Sequence, residues 1–193
     1  MASLKRDSFR GQTVAVTGSS GKTTVKEFIS SILKLCGSVH ATEGNLNNQI
    51  GLPLTLLALS NAADYLVLEM GARKAGDINY LCSLSRPNIS LVNNVQNAHI
   101  GAFGDLDSTA SAKSEIYRSL PEDGVGVLNL DIDYADKWRG VIGARRCVTF
   151  STEGKSADVT AIDLESDELG CYKFTMRFSP KTQSSRDIAI SLN

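Results

Sequence analysis

The sequence predicts an α/β fold: a P-loop-containing, mostly parallel sheet with helices on both faces and a C-terminal antiparallel β extension. Three observations predict it. Short apolar runs alternate with amphipathic stretches through residues 13–150, the pattern of strands joined by helical crossovers. The first run, Thr13-Val14-Ala15-Val16, leads through the glycine-rich turn Thr17-Gly18-Ser19-Ser20-Gly21-Lys22-Thr23-Thr24 into an amphipathic stretch at 25–35. Past Ser151, apolar runs at 159–164, 171–178 and 188–192 follow one another with no helical stretch between them.

Each element has a local reason. Residues 1–12 read as an N-terminal arm, followed by the strand at 13–16 and its helix. A polar loop follows, Glu43-Gly44-Asn45-Leu46-Asn47-Asn48-Gln49, and Pro53 opens a leucine-rich helix over 54–59. The apolar run Tyr65-Leu66-Val67-Leu68-Glu69 has the texture of a strand buried on both faces, closing on an acid. A helix at 77–84 stops ahead of Pro87, which disfavours helical geometry in the residue before it, and a strand follows at 89–92. The next helix spans 108–120, with Pro121 and Gly124 after it. A strand at 125–130, a short helix at 134–139 and a strand at 147–150 complete the core. The whole reads as one domain, an α/β core at 13–150 with a β-rich extension at 151–193.

Composition narrows the classes of function. Twenty basic side chains against 21 acidic ones leave no nucleic-acid footprint. Lys5, Arg6 and Arg10 are a dilute cluster with no apolar segment behind them, so neither a signal peptide nor a membrane span is expected. Cys36, Cys82, Cys147 and Cys171 are scattered without metal-type spacing, which suits reduced thiols in a cytoplasmic protein.

The turn after the first strand carries the chemistry. A helix N-terminus presents unpaired N–H groups and the positive end of a dipole, and glycines let the backbone approach an anion. Gly18, Ser19, Ser20, Gly21, Lys22, Thr23 and Thr24 therefore form a nucleotide phosphate cradle. Lys22 supplies a mobile charge for the outer phosphates and the Thr23 hydroxyl is a ligand for Mg²⁺. The common G-x-x-x-x-G-K-[ST] loop would put its first glycine at Val16; here the first is Gly18, so the loop is a shorter variant.

Ligands of open α/β sheets gather at the carboxyl ends of the strands, and other candidates lie there. Glu69 can hold Mg²⁺ opposite Thr23, although a solvent-facing or helix-capping acid has the same sequence. His99 follows the 89–92 strand within Asn93-Asn94-Val95-Gln96-Asn97-Ala98-His99; a lone histidine in a polar loop is usually only solvated or hydrogen-bonded, and its place at the same sheet edge is what makes it a candidate. Lys113, within Ala112-Lys113-Ser114, reads from its own surroundings as an exposed helix lysine.

Together these segments resemble the central, ATP-binding domain of the Mur ligases. The resemblance rests on residues 17–24, on Gly44-Asn45-Leu46-Asn47-Asn48-Gln49-Ile50-Gly51-Leu52-Pro53, on Glu69-Met70-Gly71-Ala72, on the run ending at His99, and on Ala112-Lys113. It is specific from about residue 13 to 130 and diffuse beyond Ser151. The 45–51 and 69–72 segments look most like the branch that adds D-alanyl-D-alanine to a UDP-N-acetylmuramoyl tripeptide in peptidoglycan precursor synthesis.

The resemblance implies a set of roles. Lys22 would hold the β- and γ-phosphates of ATP, Thr23 and Glu69 would ligate one Mg²⁺, and His99 a second. Lys113 resembles the family's carbamylated lysine, an anionic group near the metals, which puts Lys22, His99 and Lys113 in the catalytic set. Asn47 and Asn48 lie in a loop turned toward substrate. The implied chemistry is an ADP-forming amide ligation through an acyl phosphate, by a monomer with no membrane or nucleic-acid partner. The family's UDP-sugar domain and C-terminal domain are not represented, so turnover by this chain alone is not expected. Asn129 and Asp131 are a tempting adenine contact that a turn explains as well. A nucleotide-binding module without ligation, a kinase and a folylpolyglutamate-type ligase stay open, although the last typically has Gly-Lys-Gly-Ser where this chain has Gly21-Lys22-Thr23-Thr24.

Overall fold

A computed structural model describes residues 1–96, 105–168, 170–179 and 185–191. Its elements run α1 (Ala2–Asp7), β1 (Gln12–Thr17), α2 (Lys22–Leu33), β2 (Val39–Ala41), α3 (Gly51–Leu57), β3 (Tyr65–Glu69), α4 (Asp77–Ser85) and β4 (Ile89–Val92). They continue with α5 (Leu106–Arg118), β5 (Val125–Asn129), α6 (Ala135–Ile142), β6 (Arg146–Ser151), β7 (Val159–Ser166), β8 (Tyr172–Phe178) and β9 (Arg186–Ser191).

The nine strands form one sheet in the order β2-β3-β1-β4-β5-β6-β7-β8-β9. Pairing is parallel from β2 through β7 and antiparallel for β7–β8 and β8–β9, as the change of texture past Ser151 predicts. Leaving β1 the chain crosses toward one edge; from β2 onward each crossover returns the other way. Right-handed crossovers therefore put α2 on one face and α3 to α6 on the other. The packing agrees: α2 rests on β1, β2 and β3, while α3 meets α4, α4 meets α5 and α5 meets α6. The connections after β1 and β4 thus leave in opposite directions, which makes the carboxyl edge there the switch point where open α/β sheets bind ligands.

The central strands are buried on both sides. Thr13 through Thr17 and Leu66 through Glu69 are all shielded from solvent, which is why these strands read as continuous apolar runs rather than alternating ones. Trp138 and Tyr117 are fully buried, with ring centroids 5.9 Å apart and tilted by 56°. Tyr117 also ties the end of β4 to the middle of β5: its hydroxyl accepts the Val92 N–H at 3.0 Å and donates to Val127 O at 2.8 Å. Tyr117→Phe strands both backbone groups in the core, so a loss of about 1–3 kcal/mol in urea unfolding is expected; an unchanged midpoint would contradict the bridging role.

Three differences from expectation have physical causes. The N-terminal stretch is not a free arm: α1 packs on α3 and α4, and Arg6 donates from Nε to Ser85 O at 2.6 Å. β2 is a three-residue edge strand, too short for a periodic signal, and exists through its register with β3 (Val39↔Tyr65). α3 starts before Pro53, which its first turn tolerates because a donor there has no intrahelical acceptor. Asn48 Oδ1 accepts the Ile50 and Gly51 N–H groups, each at 2.9 Å, and so begins that turn. No described helix is long and apolar enough to cross a membrane.

Candidate active site at the sheet switch point

β1 delivers the glycine-rich turn to the crevice. Thr17 is fully buried and donates its hydroxyl to Met70 O at 2.8 Å, which pins the strand end to the segment after β3. Gly21 then caps α2 at φ 66°, a left-handed conformation that costs a side-chain-bearing residue about 1–2 kcal/mol. A Cβ there would also stand 3.0 Å from Asn93 Nδ2. The turn thus requires glycine where the helix N-terminus opens, and Lys22 and Thr23 begin the helix.

Thr23 and Glu69 meet. The Thr23 hydroxyl donates to Glu69 Oε2 at 2.7 Å, and Asn47 Nδ2 donates to Glu69 Oε1, also at 2.7 Å. Glu69 is 2% exposed, which overturns the reading of a solvent-facing strand-end acid. Its backbone N–H is held by Thr42 Oγ1 at 3.1 Å, and Gly71 N–H donates to Asn47 O at 2.7 Å. Asn47 is therefore part of the carboxylate's setting, whereas Asn48 serves the start of α3.

This donor set suits magnesium. Mg²⁺ takes oxygen ligands, usually one or two carboxylates with phosphate and water in the remaining positions. A hydroxyl and a carboxylate in contact at the mouth of a phosphate cradle are such a pair. Among the described residues no three His, Cys, Asp or Glu side chains gather into a cage, so phosphate and water would complete the shell. His99 lies outside the described residues.

Lys113 departs most from its local reading. It is 3% exposed and yet lines the same cleft as Gly18, Lys22, Asn47 and Gly71, a space of about 730 Å³. Burial, with help from the nearby Lys22 charge, pulls its ammonium pKa down to about 8. No hydrogen bond or ion pair joins it to a described residue. The adjoining Glu115 secures this helix by accepting the N–H groups of Gly76 at 2.8 Å and Asn79 at 3.0 Å, at the start of α4.

The loop after β4 completes the crevice in a way the sequence did not announce. Asn94 Oδ1 accepts the N–H groups of Ser19 at 3.1 Å and Ser20 at 3.0 Å, and Ser20 Oγ donates to Gln96 Oε1 at 2.8 Å. Paired asparagines just past a strand at the edge that carries the cradle were the available signal. Asn129 and Asp131 form a turn: Asp131 N–H donates to Asn129 Oδ1 at 2.9 Å, and the Asp131 carboxylate receives the Ser151 hydroxyl at 2.6 Å. Cys36, Cys82, Cys147 and Cys171 form no disulfide.

Fold and site together define a P-loop α/β domain. The Mur ligase middle-domain family matches residues 16–192, and the chain belongs to that family. It is 43% identical over 177 residues to the UDP-N-acetylmuramoyl-tripeptide–D-alanyl-D-alanine ligase of Escherichia coli (strain K12), covering 92% of this chain and 39% of that one. Its structure resembles the UDP-N-acetylmuramoylalanyl-D-glutamyl-2,6-diaminopimelate–D-alanyl-D-alanyl ligase of Acinetobacter baumannii, with TM-score 0.86, 32% identity, and coverage of 99% of this chain and 41% of that one. It likewise resembles the MurF ligase of Thermotoga maritima solved with ADP, with TM-score 0.84, 33% identity, and coverage of 99% and 43%. The chain thus spans about two-fifths of the length of these relatives.

Proposed function

We propose that the chain is the nucleotide-handling domain of an ADP-forming amide ligase that joins D-alanyl-D-alanine to a UDP-N-acetylmuramoyl tripeptide, in the synthesis of peptidoglycan precursors. The observation that carries this reading is the Thr23–Glu69 contact at the mouth of the glycine-rich turn, joined through Asn47 to the cleft that Lys22 and Lys113 line. The names of the relatives supply the substrates, and the ADP bound to the Thermotoga maritima ligase supports ATP as the nucleotide.

On this reading the α2 N-terminus and Lys22 hold the outer phosphates, and Thr23 and Glu69 hold Mg²⁺, with Asn47 orienting the carboxylate. An ion held there would supply neutralisation of the phosphate charge. A carboxylate oxygen of the tripeptide attacks the γ-phosphorus and ADP leaves, giving an acyl phosphate. The D-alanyl-D-alanine amine then attacks the acyl carbon, phosphate departs with the bonding pair, and the amine sheds a proton. Phosphoryl transfer of this kind depends on positioning and charge neutralisation, which a rigid crevice supplies. Lys113 is buried on the cleft, and no hydrogen bond or ion pair joins it to a described residue; adding CO₂ with loss of a proton would make it an anionic carbamate able to serve as an oxygen ligand. His99 is the proposed ligand of a second Mg²⁺. By itself the chain binds nucleotide and has little or no turnover, acting as a cytoplasmic monomer.

A domain graft tests the reading. This chain replaces the matched segment of the Escherichia coli ligase, folding is verified by a cooperative melt, and ADP release is followed with the tripeptide and D-alanyl-D-alanine. Release that requires both substrates is expected. A folded graft that binds nucleotide but never releases ADP would count against ligation.

A further inference from the structure

The cleft beside the phosphate cradle carries more positive charge than a nucleotide site accounts for. Its described lining includes the cations Lys22, Arg73 and Lys74, besides the buried Lys113, against one acid, Asp77. Asp77 is 7% exposed and its carboxylate is spent on the backbone: Oδ2 accepts the N–H groups of Arg73 at 2.9 Å and Lys74 at 3.1 Å. Its Oδ1 accepts Gln49 Nε2 at 2.7 Å, which ties this loop to the one bearing Asn47. Glu115 holds the far end through the Gly76 N–H. Arg73 and Lys74 therefore project from a braced loop, with exposed side chains that join none of the three ion pairs among the described residues.

Lys22 and the helix N-terminus serve the phosphates, and Lys113 is buried. Arg73 and Lys74 are left over. An Arg fork suits a carboxylate in two-point contact, and a neighbouring ammonium adds an adjustable point charge. The acyl substrate named for the Acinetobacter baumannii relative contains D-glutamyl and 2,6-diaminopimelate residues. Each brings two carboxyl groups, so the chain of amide bonds leaves carboxylates that take no part in the ligation.

We propose that Arg73 and Lys74 form a second anion subsite, separate from the phosphate cradle, that holds a non-reacting carboxylate of the acyl-bearing substrate. The proposal deepens the ligase reading and rests on it. Holding that group would fix the distance between the reacting carboxylate and the γ-phosphate without competing for Lys22. The pair acts on substrate binding and register rather than on the phosphoryl group.

The test uses the intact chain with D-glutamyl-2,6-diaminopimelate dipeptide as probe, by calorimetric titration at low salt, beside its analogue with the spare carboxyls amidated. Arg73→Gln/Lys74→Gln is expected to weaken the dipeptide about tenfold or more. The amidated analogue should bind the wild type as weakly as the dipeptide binds the variant, and should not respond to the substitutions. Mg-ADP affinity should survive Arg73→Gln/Lys74→Gln and fall in Lys22→Ala, which separates this subsite from the cradle. Equal dipeptide affinity in wild type and double variant overturns the proposal, as does absence of wild-type binding at tens of millimolar dipeptide. Loss of Mg-ADP binding by the wild type would instead contradict the nucleotide reading and leave the dipeptide result legible.

Discussion

Lys113→Met stabilises the chain at pH 7, by up to about 3 kcal/mol in CO₂-depleted buffer. The wild-type ammonium has a pKa pulled from 10.5 to about 8 in the folded state, first by desolvation and then by Lys22. Between those values the unfolded chain binds the proton and the folded chain does not, so wild-type stability rises with pH. Below about pH 8 the cost of burying the charge is fully present, and above about pH 10.5 it has gone because both states are neutral. The gain from methionine should follow the same course, largest at neutral pH and absent above the unfolded pKa. Urea unfolding of both proteins across pH 7 to 11 reads it directly. A gain independent of pH would mean that improved packing, rather than a removed charge, is responsible. The same substitution in the grafted ligase should abolish ADP release, giving a variant more stable and less active. That opposition marks a buried cation kept for chemistry rather than for folding.

Glu69→Gln is expected to leave the melt of the ligand-free chain nearly unchanged while removing much of its response to Mg-ATP. Glutamine retains the shape and can still accept from the Thr23 hydroxyl, and the Asn47 amide can turn over to accept from the new NH2, but glutamine carries no charge for a cation. Wild type at one hundred times Kd gains about 2.7 kcal/mol from ligand, and a tenfold weaker variant at the same concentration gains about 1.4 kcal/mol. With excess chelator the two proteins should respond equally to ATP, because the difference resides in the ion. A variant that keeps the full Mg-ATP response would remove Glu69 from the metal site and leave it as a structural partner of Thr23 and Asn47.

How much of this was legible depended on range. The turn from Thr17 to Thr24 could be read because its constraints are local: a glycine at positive φ, a lysine beside it, a strand before and a helix after. The parallel strands were legible because burial on both faces writes an unbroken apolar run, as in Leu66-Val67-Leu68. β2 was not, since three residues hold no period and its burial comes from β3. Lys113 was opaque for a related reason. Its own helix turn is polar, and it is buried only once α5 packs against the sheet and its neighbouring helices. Asn94 reaches Ser19 and Ser20 across some seventy intervening positions, and Asp77 reaches Gln49 across nearly thirty, distances over which periodicity carries no information. Arg73 and Lys74 look like ordinary solvated loop cations until the cleft beside them is seen.

The most direct measurement is the melting temperature of this chain with and without Mg-ATP, beside Lys22→Ala. Lys22 is the one cation that the cradle itself places at the helix N-terminus, and its ammonium rests on Ser19 O at 3.3 Å, within the turn that would receive phosphate. The account predicts a concentration-dependent rise for the wild type, following RT ln(1 + [L]/Kd), and none for Lys22→Ala at the same nucleotide concentration. An equal rise in both proteins, or none in either at millimolar Mg-ATP, would contradict it.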